Sequence, residues 1–458
     1  MKIVKNGLLV TMDRESRVIK DGAVAIEGKF IKEVGETKSL CAKWPDAETI
    51  DATDHMILPG FINAHTHLFQ VLLRGIGDGL PVGKWGEKAL WPISKYVGRD
   101  ESYLAALLVS AEMLSSGITT FVDSHFITRD KKCYDGIAQA IEEIGNRGVI
   151  GRNTGNIYPT PSEFQEPVNI AVEETHRVIS TYHQKAQGRL TVRAEVMTEA
   201  HASEEMVLAI RKVSKDCGVG FSMHVAETKE RSELSCKKYG YPSVEWLYKI
   251  GVLGPDVLLI HCVWVNPKEI ELLSITDTKV VHNPLANQYL GDGVAPIREM
   301  MDKGITIAIG TDGAATNNSQ DIFEAMKSAA LLQKVSHLDA GVINAQDVLK
   351  MVTINAARAI GMEKNIGSLE QGKFADLILV DLEIPQLVPL VSVLTNIVYA
   401  APSKAVDLVM VNGCIVYKEG EVVAFNQKEL VKRCNEKVES IIKLAKIGDL
   451  LNRGWKIE

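Results

Sequence analysis

Eight short apolar runs, separated by longer stretches with helical spacing, constrain the fold of this chain more than any other feature. Segments such as SYLAALLVSAEMLSSG and PIREMMDKG lie between them and repeat apolar residues every three to four positions. The runs themselves are FINAHTH, ITTFVDSH, GVIGRNTG, LTVRAEVM, GFSMHVAE, VLLIHCVW, KVVHNP and ITIAIGTDG. Strands that alternate with helices predict a parallel sheet, and eight such units predict an α/β protein with a closed (β/α)8 TIM barrel.

The two ends of the chain have a different texture from this middle. Short strand-like runs separated by Gly and Asp turns fill residues 1–58, and the same pattern returns in residues 363–425. Two β-rich ends around a barrel predict a small composite β-sandwich domain built from both termini. We therefore expect the barrel in residues 59–362 and a helical tail in residues 426–458, where charged residues recur at i, i+4 spacing.

Composition and charge exclude several classes of partner. The 458 residues are 46% hydrophobic and 24% charged, which is ordinary for a globular protein with a large core. The net charge of −7 and the lack of basic runs argue against a nucleic-acid partner. No apolar run approaches the ~18 residues of a membrane span. The start, MKIVKNGLLVTMDRES, lacks secretory features, and the seven cysteines are scattered without a CxxC pair. We expect reduced thiols and a cytoplasmic location.

Polar residues interrupt the apolar runs at the ends of the candidate strands. In NAHTHLFQ, His65 and His67 are one residue apart, so an extended strand directs both to the same side. His224 ends the fifth strand, His261 the sixth and Asp312 the eighth. A single histidine at a strand end is more often a structural residue. A barrel, however, brings all these strand ends to one rim, which is where barrel enzymes place their chemistry.

These side chains predict a metal centre with an open position for water. Imidazoles and a carboxylate suit Zn²⁺ or Fe²⁺, and we expect His65, His67, His224 and Asp312 to hold one divalent ion per chain. Such an ion lowers the pKa of bound water to about 7 and produces a nucleophile for an electron-poor carbon.

Two further residues at the same rim are candidates for proton transfer. Glu227 lies three residues after His224, and we expect it to accept a proton from the nucleophile and deliver it to a ring nitrogen or a leaving group. His261 is either a fifth ligand or, as we prefer, a hydrogen-bond partner of the bound water or the developing oxyanion. Asp312 is a second candidate for accepting the proton of the water while it ligates the metal.

At these residues the sequence closely resembles the amidohydrolase superfamily, in its deaminase and chlorohydrolase branch. The motifs that carry the resemblance span nearly the whole chain: PGFINAHTHLFQVLLRG, SGITTFVD, MHVAET, HCVWV, HNPLAN, GTDGAATNN and GSLEQGKFADLILVD. The resemblance implies a barrel with a composite sandwich, one divalent metal, hydrolysis at a ring carbon, and a homodimer or larger homo-oligomer. It also implies that the HxH pair, the histidine of strand 5 and the aspartate of strand 8 are ligands, and that Glu227 and His261 act in catalysis.

The resemblance leaves the substrate open between two subgroups. GTDGAATNNSQDIFEAMKSAALLQK is similar to the methylthioadenosine/S-adenosylhomocysteine deaminases, whereas ANQYLGDGVAP is more similar to the s-triazine hydrolases. Where the adenosine group carries a carboxylate after the tryptophan of LPVGKW, a histidine after strand 4 and an arginine after strand 3, this chain has Ser94, Met197 and either Gly155 or Asn156, respectively. A site that hydrogen-bonds hydroxyl groups loses much affinity without those partners. These departures favour a smaller ring substrate over the usual recognition of ribose.

Seven residues near the strand ends are candidates for binding the substrate. An aromatic face suits a flat heteroaromatic ring, and polar side chains suit ring nitrogens, although each residue also has an ordinary interpretation as part of the core or of a loop. The candidates are Gln70, Trp85, His125, Asn153, Asn156, Tyr158 and Asn283.

The sequence therefore predicts metal-dependent hydrolytic deamination of an aminated N-heteroaromatic ring, such as an adenosine-type molecule or purine, a pterin or an s-triazine. Chloride release from an s-triazine is one alternative. Hydrolysis of a non-aromatic cyclic C–N bond is another, but two-metal relatives of that type commonly carry a lysine after strand 4, and LTVRAEVM offers none. A third is a binding protein without activity, which the complete ligand set disfavours.

Overall fold

The computed structural model describes residues 1–125 and 130–451, so residues 452–458 of the expected tail lie outside the described residues. The strands, in chain order, are β1 (Lys2–Val10), β2 (Val18–Glu27), β3 (Phe30–Glu36), β4 (Glu48–Asp51), β5 (His55–Pro59), β6 (Phe61–Thr66), β7 (Ile118–His125), β8 (Arg147–Arg152), β9 (Leu190–Thr198), β10 (Phe221–Val225), β11 (Val257–His261), β12 (Lys279–His282), β13 (Ile307–Ile309), β14 (Leu377–Asp381), β15 (Val406–Val411), β16 (Cys414–Lys418) and β17 (Glu421–Val422).

The helices cover the barrel and fill the connections between strands. They are α1 (Thr37–Lys43), α2 (Val82–Trp85), α3 (Trp91–Ser94), α4 (Arg99–Ser115), α5 (Cys133–Ile144), α6 (Val168–Tyr182), α7 (Glu204–Cys217), α8 (Lys229–Tyr239), α9 (Ser243–Lys249), α10 (Pro267–Ile275), α11 (Pro284–Leu290), α12 (Ile297–Asp302), α13 (Ile322–His337), α14 (Ala345–Met351), α15 (Ile354–Ala359), α16 (Val393–Tyr399) and α17 (Gln427–Ala445).

The two termini share one mixed sheet, in which β5 and β14 lie side by side. They pair antiparallel from Leu377 opposite Pro59 to Asp381 opposite His55, which joins the N-terminal and C-terminal parts. Apolar side chains of β2 and β14, such as Ile26, belong to one buried cluster. The α/β fold class, a barrel with an added domain from both ends, is therefore confirmed. The domain limits of 1–58 and 363–425 stay a proposal.

The eight predicted strands of the barrel, β6 to β13, form a parallel sheet in sequence order. Its closure joins the first strand to the last. The backbone N–H of Asp312 donates to the carbonyl oxygen of His65 at 2.9 Å, and that of Thr311 donates to Oδ1 of Asn63 at 3.0 Å. The strand β13 has only three residues, so these bonds beyond its end complete the barrel. They also fix Asp312 beside His65.

The C-terminal helix α17 packs against the barrel. Its buried Cys434 donates a weak Sγ hydrogen bond to the carbonyl oxygen of Leu104 on α4, and Lys437 pairs with Glu101 at 2.8 Å. The helical part of the tail is thus tied to the helix that follows the site loop after β6. Within the described ranges, none of the helices combines the length and the apolar character that a membrane crossing needs.

Candidate metal and proton-transfer site

Three histidines and one aspartate meet at the carboxyl ends of β6, β10 and β13. The ring centroid of His65 lies 4.7 Å from that of His67 and 4.8 Å from that of His224. One nitrogen of each of the three rings lies within 4.8 Å of one nitrogen of each of the other two. Asp312 Oδ1 lies 3.7 Å from Nε2 of His65 and 3.5 Å from Nε2 of His67. All four residues are buried. Their donor atoms therefore converge on one small volume.

Backbone carbonyl groups determine which nitrogen of two of these rings faces the centre. Nδ1 of His67 lies 2.6 Å from the carbonyl oxygen of Ser124, and Nδ1 of His224 lies 3.0 Å from that of Met197. A carbonyl oxygen only accepts, so each Nδ1 carries the proton and donates. The lone pair of each ring is then on Nε2, as a metal ligand requires.

His65 provides the test of whether a metal fits. Both of its ring nitrogens are buried, and neither has a hydrogen-bond partner among the described residues. A buried polar atom without a partner costs about 1–3 kcal/mol. A divalent ion held by His65 and Asp312 would remove that cost for one of the two nitrogens. Neutral imidazoles and a carboxylate are also the donors that Zn²⁺ and Fe²⁺ prefer, so the residues present fit a divalent metal.

The electrostatics keep these ligands in their metal-binding forms. Burial lowers the pKa of His67 to about 4 and lowers the pKa of His65, and burial together with the neighbouring rings puts that of His224 well below its ordinary value. Burial alone would raise the pKa of Asp312, but the surrounding imidazoles, His65 above all, hold it well below its usual value. At neutral pH the histidines are neutral and the aspartate is ionised.

The glycines of the IGTDG segment allow this close approach. A Cβ atom added at Gly313 would lie 1.8 Å from Oε1 of Gln70, and one added at Gly310 would lie 2.8 Å from Cβ of His65. The backbone N–H of Gly313 also donates to Asp312 Oδ1 at 2.6 Å. Asp312 itself has a φ of 62°, a left-handed conformation that directs its carboxylate into the site.

His261 is held in the opposite tautomer from the two ligand histidines. The amide nitrogens of Asn283 and Asn287 lie 3.3 Å and 3.1 Å from its Nδ1, and an amide nitrogen only donates. Nδ1 of His261 is therefore the acceptor, and Nε2 carries the proton. That Nε2 lies 3.7 Å from both Glu227 Oε1 and Asp312 Oδ2. This arrangement makes His261 a hydrogen-bond donor into the site, which favours our preferred role for it over metal ligation.

Glu227 follows β10 and lies in the same wall, with its carboxylate buried. Its Oε2 accepts a hydrogen bond from Arg231, one turn further along, while its Oε1 faces His261. The loop is fixed at Ala226, which has a φ of 49° and whose N–H donates to Oε1 of Glu199 at 2.9 Å. The sequence gives no specific signal for Arg231, because its i, i+4 spacing from Glu227 is also that of an ordinary surface ion pair.

A second layer of buried carboxyl groups, which the sequence argument missed, lies behind His67. Asp123 accepts from the N–H of Leu68 at 2.9 Å, and Glu195 accepts from Oγ of Ser124 at 2.5 Å. Burial raises the pKa of Asp123 to about 7 and that of Glu195 to about 8. Since Ser124 also binds His67 through its carbonyl oxygen, this layer orients a ligand. The available signal was a carboxylate inside each of the apolar runs ITTFVDSH and LTVRAEVM.

The site opens into a cavity of about 1140 Å³. Three of the proposed substrate-binding residues line it: Gln70, Trp85 and Tyr158. Trp85 is buried and donates from Nε1 to the carbonyl oxygen of Ile76 at 3.1 Å, so its ring is fixed in the wall. Tyr158 also lines the cavity but is 86% exposed.

The other four candidates lie behind the cavity wall and are not among its lining residues in the described chain. His125 is buried against the rings of Phe69 and Tyr134. Asn156 exchanges hydrogen bonds with Ser203 at 2.8 Å and 3.0 Å and so closes a loop. The last two support other site residues: Asn153 donates to Glu195 at 3.1 Å, and Asn283 donates to His261.

The positions at which the chain departs from the adenosine pattern are also placed. Ser94 is buried and donates from Oγ to the carbonyl oxygen of Leu90 at 2.7 Å, so it points away from the cavity. Met197 lines the cavity and presents an apolar thioether there.

Comparison with known proteins agrees with this geometry. The sequence model of the amidohydrolase family matches residues 56–416. The chain is 35% identical over 441 residues to the 5-methylthioadenosine/S-adenosylhomocysteine deaminase of Pyrococcus furiosus, covering 95% of this chain and 100% of that protein. It is 34% identical to the 5'-deoxyadenosine deaminase of Methanosarcina acetivorans, with 96% and 98% covered.

Two solved structures have closely similar folds. A zinc-bound adenosine deaminase from Xanthomonas campestris superimposes with a TM-score of 0.91 at 26% identity, covering 96% of this chain and 98% of the other. The zinc complex of atrazine chlorohydrolase from Arthrobacter aurescens gives 0.89 at 25% identity, covering 96% and 100%. Both subgroups to which the motifs are similar therefore appear among the relatives.

Proposed function

We propose a hydrolytic deaminase activity for this chain, starting from the fact that it belongs to the amidohydrolase family. The chain is accordingly a hydrolase that acts on C–N bonds, and its relatives include adenosine-type deaminases. The observation that carries the proposal is the juxtaposition of a complete metal-ligand set with Glu227 and His261 at the base of one cavity.

His65, His67, His224 and Asp312 would hold one divalent ion per chain, Zn²⁺ or Fe²⁺. When bound, such an ion makes water acidic enough to attack an electron-poor ring carbon at neutral pH. The four ligands come from three separate strand ends that are locked together by the closure of the barrel, so the chain itself supplies a preorganised site.

Glu227 is the proposed proton carrier of the reaction. Its Oε2 is held by Arg231, which leaves Oε1 to take one proton of the attacking water and to deliver it to a ring nitrogen. The second proton of that water, released from the hydroxyl group of the adduct, is passed to the amine, which departs as ammonia when its bond to the ring carbon breaks. An amine leaves far better once it is protonated. A carboxylate in this position therefore favours the release of ammonia.

His261 is the proposed donor to the oxygen that attacks the ring. With Nδ1 occupied by two amide donors, its Nε2–H points between Glu227 and Asp312. A fixed donor aimed at developing negative charge stabilises the transition state more than the ground state.

The proposed substrate is an aminated N-heteroaromatic ring. Adenosine-type molecules are the first candidates, because similar proteins are deaminases of such compounds. The cavity is large enough for a nucleoside, since typical small-molecule sites measure about 300–1,000 Å³. Ser94 is not among the described residues that line the cavity and Met197 presents only a thioether there, so we do not expect these two positions to bind the ribose hydroxyls.

The test is a screen for ammonia release by the metal-loaded protein. The panel contains adenosine, 5'-deoxyadenosine, 5-methylthioadenosine, guanine, a pterin and melamine. We expect the protein to deaminate one of these classes of compound, with the highest rates of ammonia release from the adenosine-type compounds. Ammonia release from none of them would refute the deaminase proposal.

Chloride release from an s-triazine is the second candidate, favoured by the structural similarity to atrazine chlorohydrolase. Atrazine and its amino analogue, tested side by side, separate the two reactions. Faster chloride release than ammonia release would make this chain a dehalogenase.

A further inference from the structure

A short chain of hydrogen bonds behind His261 ends at a carboxyl group that the proposed mechanism does not use. The amide nitrogen of Asn287 lies 3.1 Å from Nδ1 of His261 and 3.1 Å from Oδ2 of Asp292. An amide nitrogen carries two hydrogens, and here each has its own acceptor. Both Asn287 and Asp292 are buried. The carboxyl group of Asp292 therefore decides which end of the Asn287 amide faces His261.

Asn283 does not provide the same control. Its amide nitrogen is 3.3 Å from Nδ1 of His261, and among the described residues it has no second acceptor. Oδ1 of Asn283, like Oδ1 of Asn287, has no hydrogen-bond partner there. Of the two asparagines that face His261, only Asn287 is anchored by an acceptor.

The backbone places Asp292 rigidly for this contact. It lies just after α11, between Gly291 and Gly293, which have φ values of 72° and 123°. Its N–H donates to the carbonyl oxygen of Asn287 at 2.9 Å, and its own carbonyl oxygen accepts from Nε1 of Trp264 at 2.6 Å. Trp264 follows the strand that carries His261. The turn after α11 is thus clamped to the end of β11.

We propose that Asp292 is a positioning residue that, through Asn287, keeps the proton of His261 on Nε2 and so keeps His261 out of the metal's ligand set. The reverse orientation of the Asn287 amide would present its oxygen to His261, move the proton to Nδ1 and free the Nε2 lone pair. His261 would then compete as a ligand beside Asp312, whose Oδ2 is 3.7 Å away. This inference rests on the proposed function and specifies how the same site keeps its ligands and its hydrogen-bond donor apart.

The contact works whether or not Asp292 is ionised. Burial, together with the charge of Glu227, raises the pKa of Asp292 to about 8. A protonated carboxyl group still has a carbonyl oxygen that accepts from Asn287. An acceptor oxygen is therefore present in either form, although only the ionised form lacks a competing donor, which predicts that an amide in this position can substitute for most of the contact.

The first experiment compares Asp292→Ala with Asp292→Asn in the zinc-loaded full-length protein. We expect Asp292→Ala to lower kcat about tenfold, less than the loss of a whole oxyanion donor because Asn283 still contacts His261. KM should change by less than about threefold. Asp292→Asn should restore most of the lost kcat, because its side-chain oxygen can accept from Asn287. Thermal unfolding of both variants checks that they fold.

The second experiment reads the tautomer directly, without any substrate. ¹⁵N-histidine NMR of the zinc-loaded protein, with the signal of His261 assigned by its absence in His261→Gln, distinguishes a protonated Nε2 from a protonated Nδ1. We expect a protonated Nε2 in the wild type and in Asp292→Asn, and a shift of population to Nδ1 in Asp292→Ala.

Three results would overturn the inference: a protonated Nδ1 on His261 of the wild type, a rise in KM alone in Asp292→Ala, which would make Asp292 a substrate contact, or no rescue by Asp292→Asn. If the substrate screen fails while the NMR signals behave as expected, the proposed reaction is wrong and the positioning role stands.

Discussion

The floor of the site and the wall of the cavity above it are built in different ways. The floor, which comprises His65, His67, His224, His261 and Asp312, lies at strand ends and is buried throughout. About half of the wall is formed by the loop and short helices of residues 81–95 and by residues 158–161, where Tyr158 is 86% exposed, and much of the rest by residues 197–201 and 228–234. We expect the strand ends to determine the reaction and the loops to determine the choice of substrate. Perturbing the floor should therefore change kcat and metal content, and perturbing the wall should change KM.

The largest effect is expected from removing a metal ligand of the floor. His224→Ala should lose bound metal and lower ammonia release by more than about 10³-fold, because the acidity of the attacking water depends on the ion. Metal analysis and ammonia release on the same sample measure both. The matched control is His337→Gln, a partly exposed histidine on α13 that contacts Glu299. A His224→Ala protein that keeps metal and activity would break the distinction between floor and wall.

The next effect is expected at Glu227, which borders both regions. Glu227→Gln keeps the shape of the side chain but removes its proton-accepting group, so kcat should fall about 10²–10⁴-fold with the metal content unchanged. Glu233→Gln, at an exposed position on α8, the helix that follows Glu227, serves as the control. Steady-state kinetics separate kcat from KM. An unchanged kcat would show that another group carries the proton.

A smaller effect, of a different kind, is expected in the wall. Trp85→Leu removes the flat indole face but keeps an apolar side chain, so KM should rise about tenfold while kcat stays within about threefold. Trp85→Phe keeps an aromatic face, so its KM should lie between those of the wild type and Trp85→Leu. A large loss of kcat with KM unchanged would instead place Trp85 in the chemistry of the floor.

The smallest effect is expected from acid. Burial holds the pKa of His67 at about 4, so this ligand stays unprotonated until the pH falls toward that value. An exposed histidine, with a pKa near 6.5, would take up protons and weaken metal binding already below pH 7. Zinc affinity measured by competition with a chelator should therefore change less than about threefold from pH 7.5 to pH 5.5. Progressive metal loss between pH 7 and pH 6 would contradict the buried floor.

The sequence was sufficient for most of the barrel because its signal is periodic. All eight predicted runs are strands of the parallel sheet, and the histidines and the aspartate at their ends meet on one rim. The closure of the barrel between its first and last strands was harder to predict from the sequence. The last strand has only three residues, and the bond from Asp312 to His65 follows after the strand has ended. That geometry arises from tertiary packing and leaves no period in the sequence.

The supporting residues were the part that sequence reasoning could not place. Asp123 and Glu195 stand in apolar runs, but only the fold shows that they lie behind a ligand. Asn287 and Asp292 are five residues apart, and the contacts of Asn287 with Asp292 and with His261 depend on how α11 ends. Conversely, Asn156 follows a strand as expected, but its side chain donates to Oγ of Ser203 instead of facing the cavity. Side-chain partners depend on neighbours that are distant in the chain.

The most direct test of the central claim is a metal titration of activity. The protein is fully chelated, and zinc is then returned in substoichiometric steps while ammonia release from 5'-deoxyadenosine, or from the best substrate of the screen, is recorded. The account predicts no activity without metal and a linear rise that ends at one ion per chain. Full activity in the metal-free protein would contradict it.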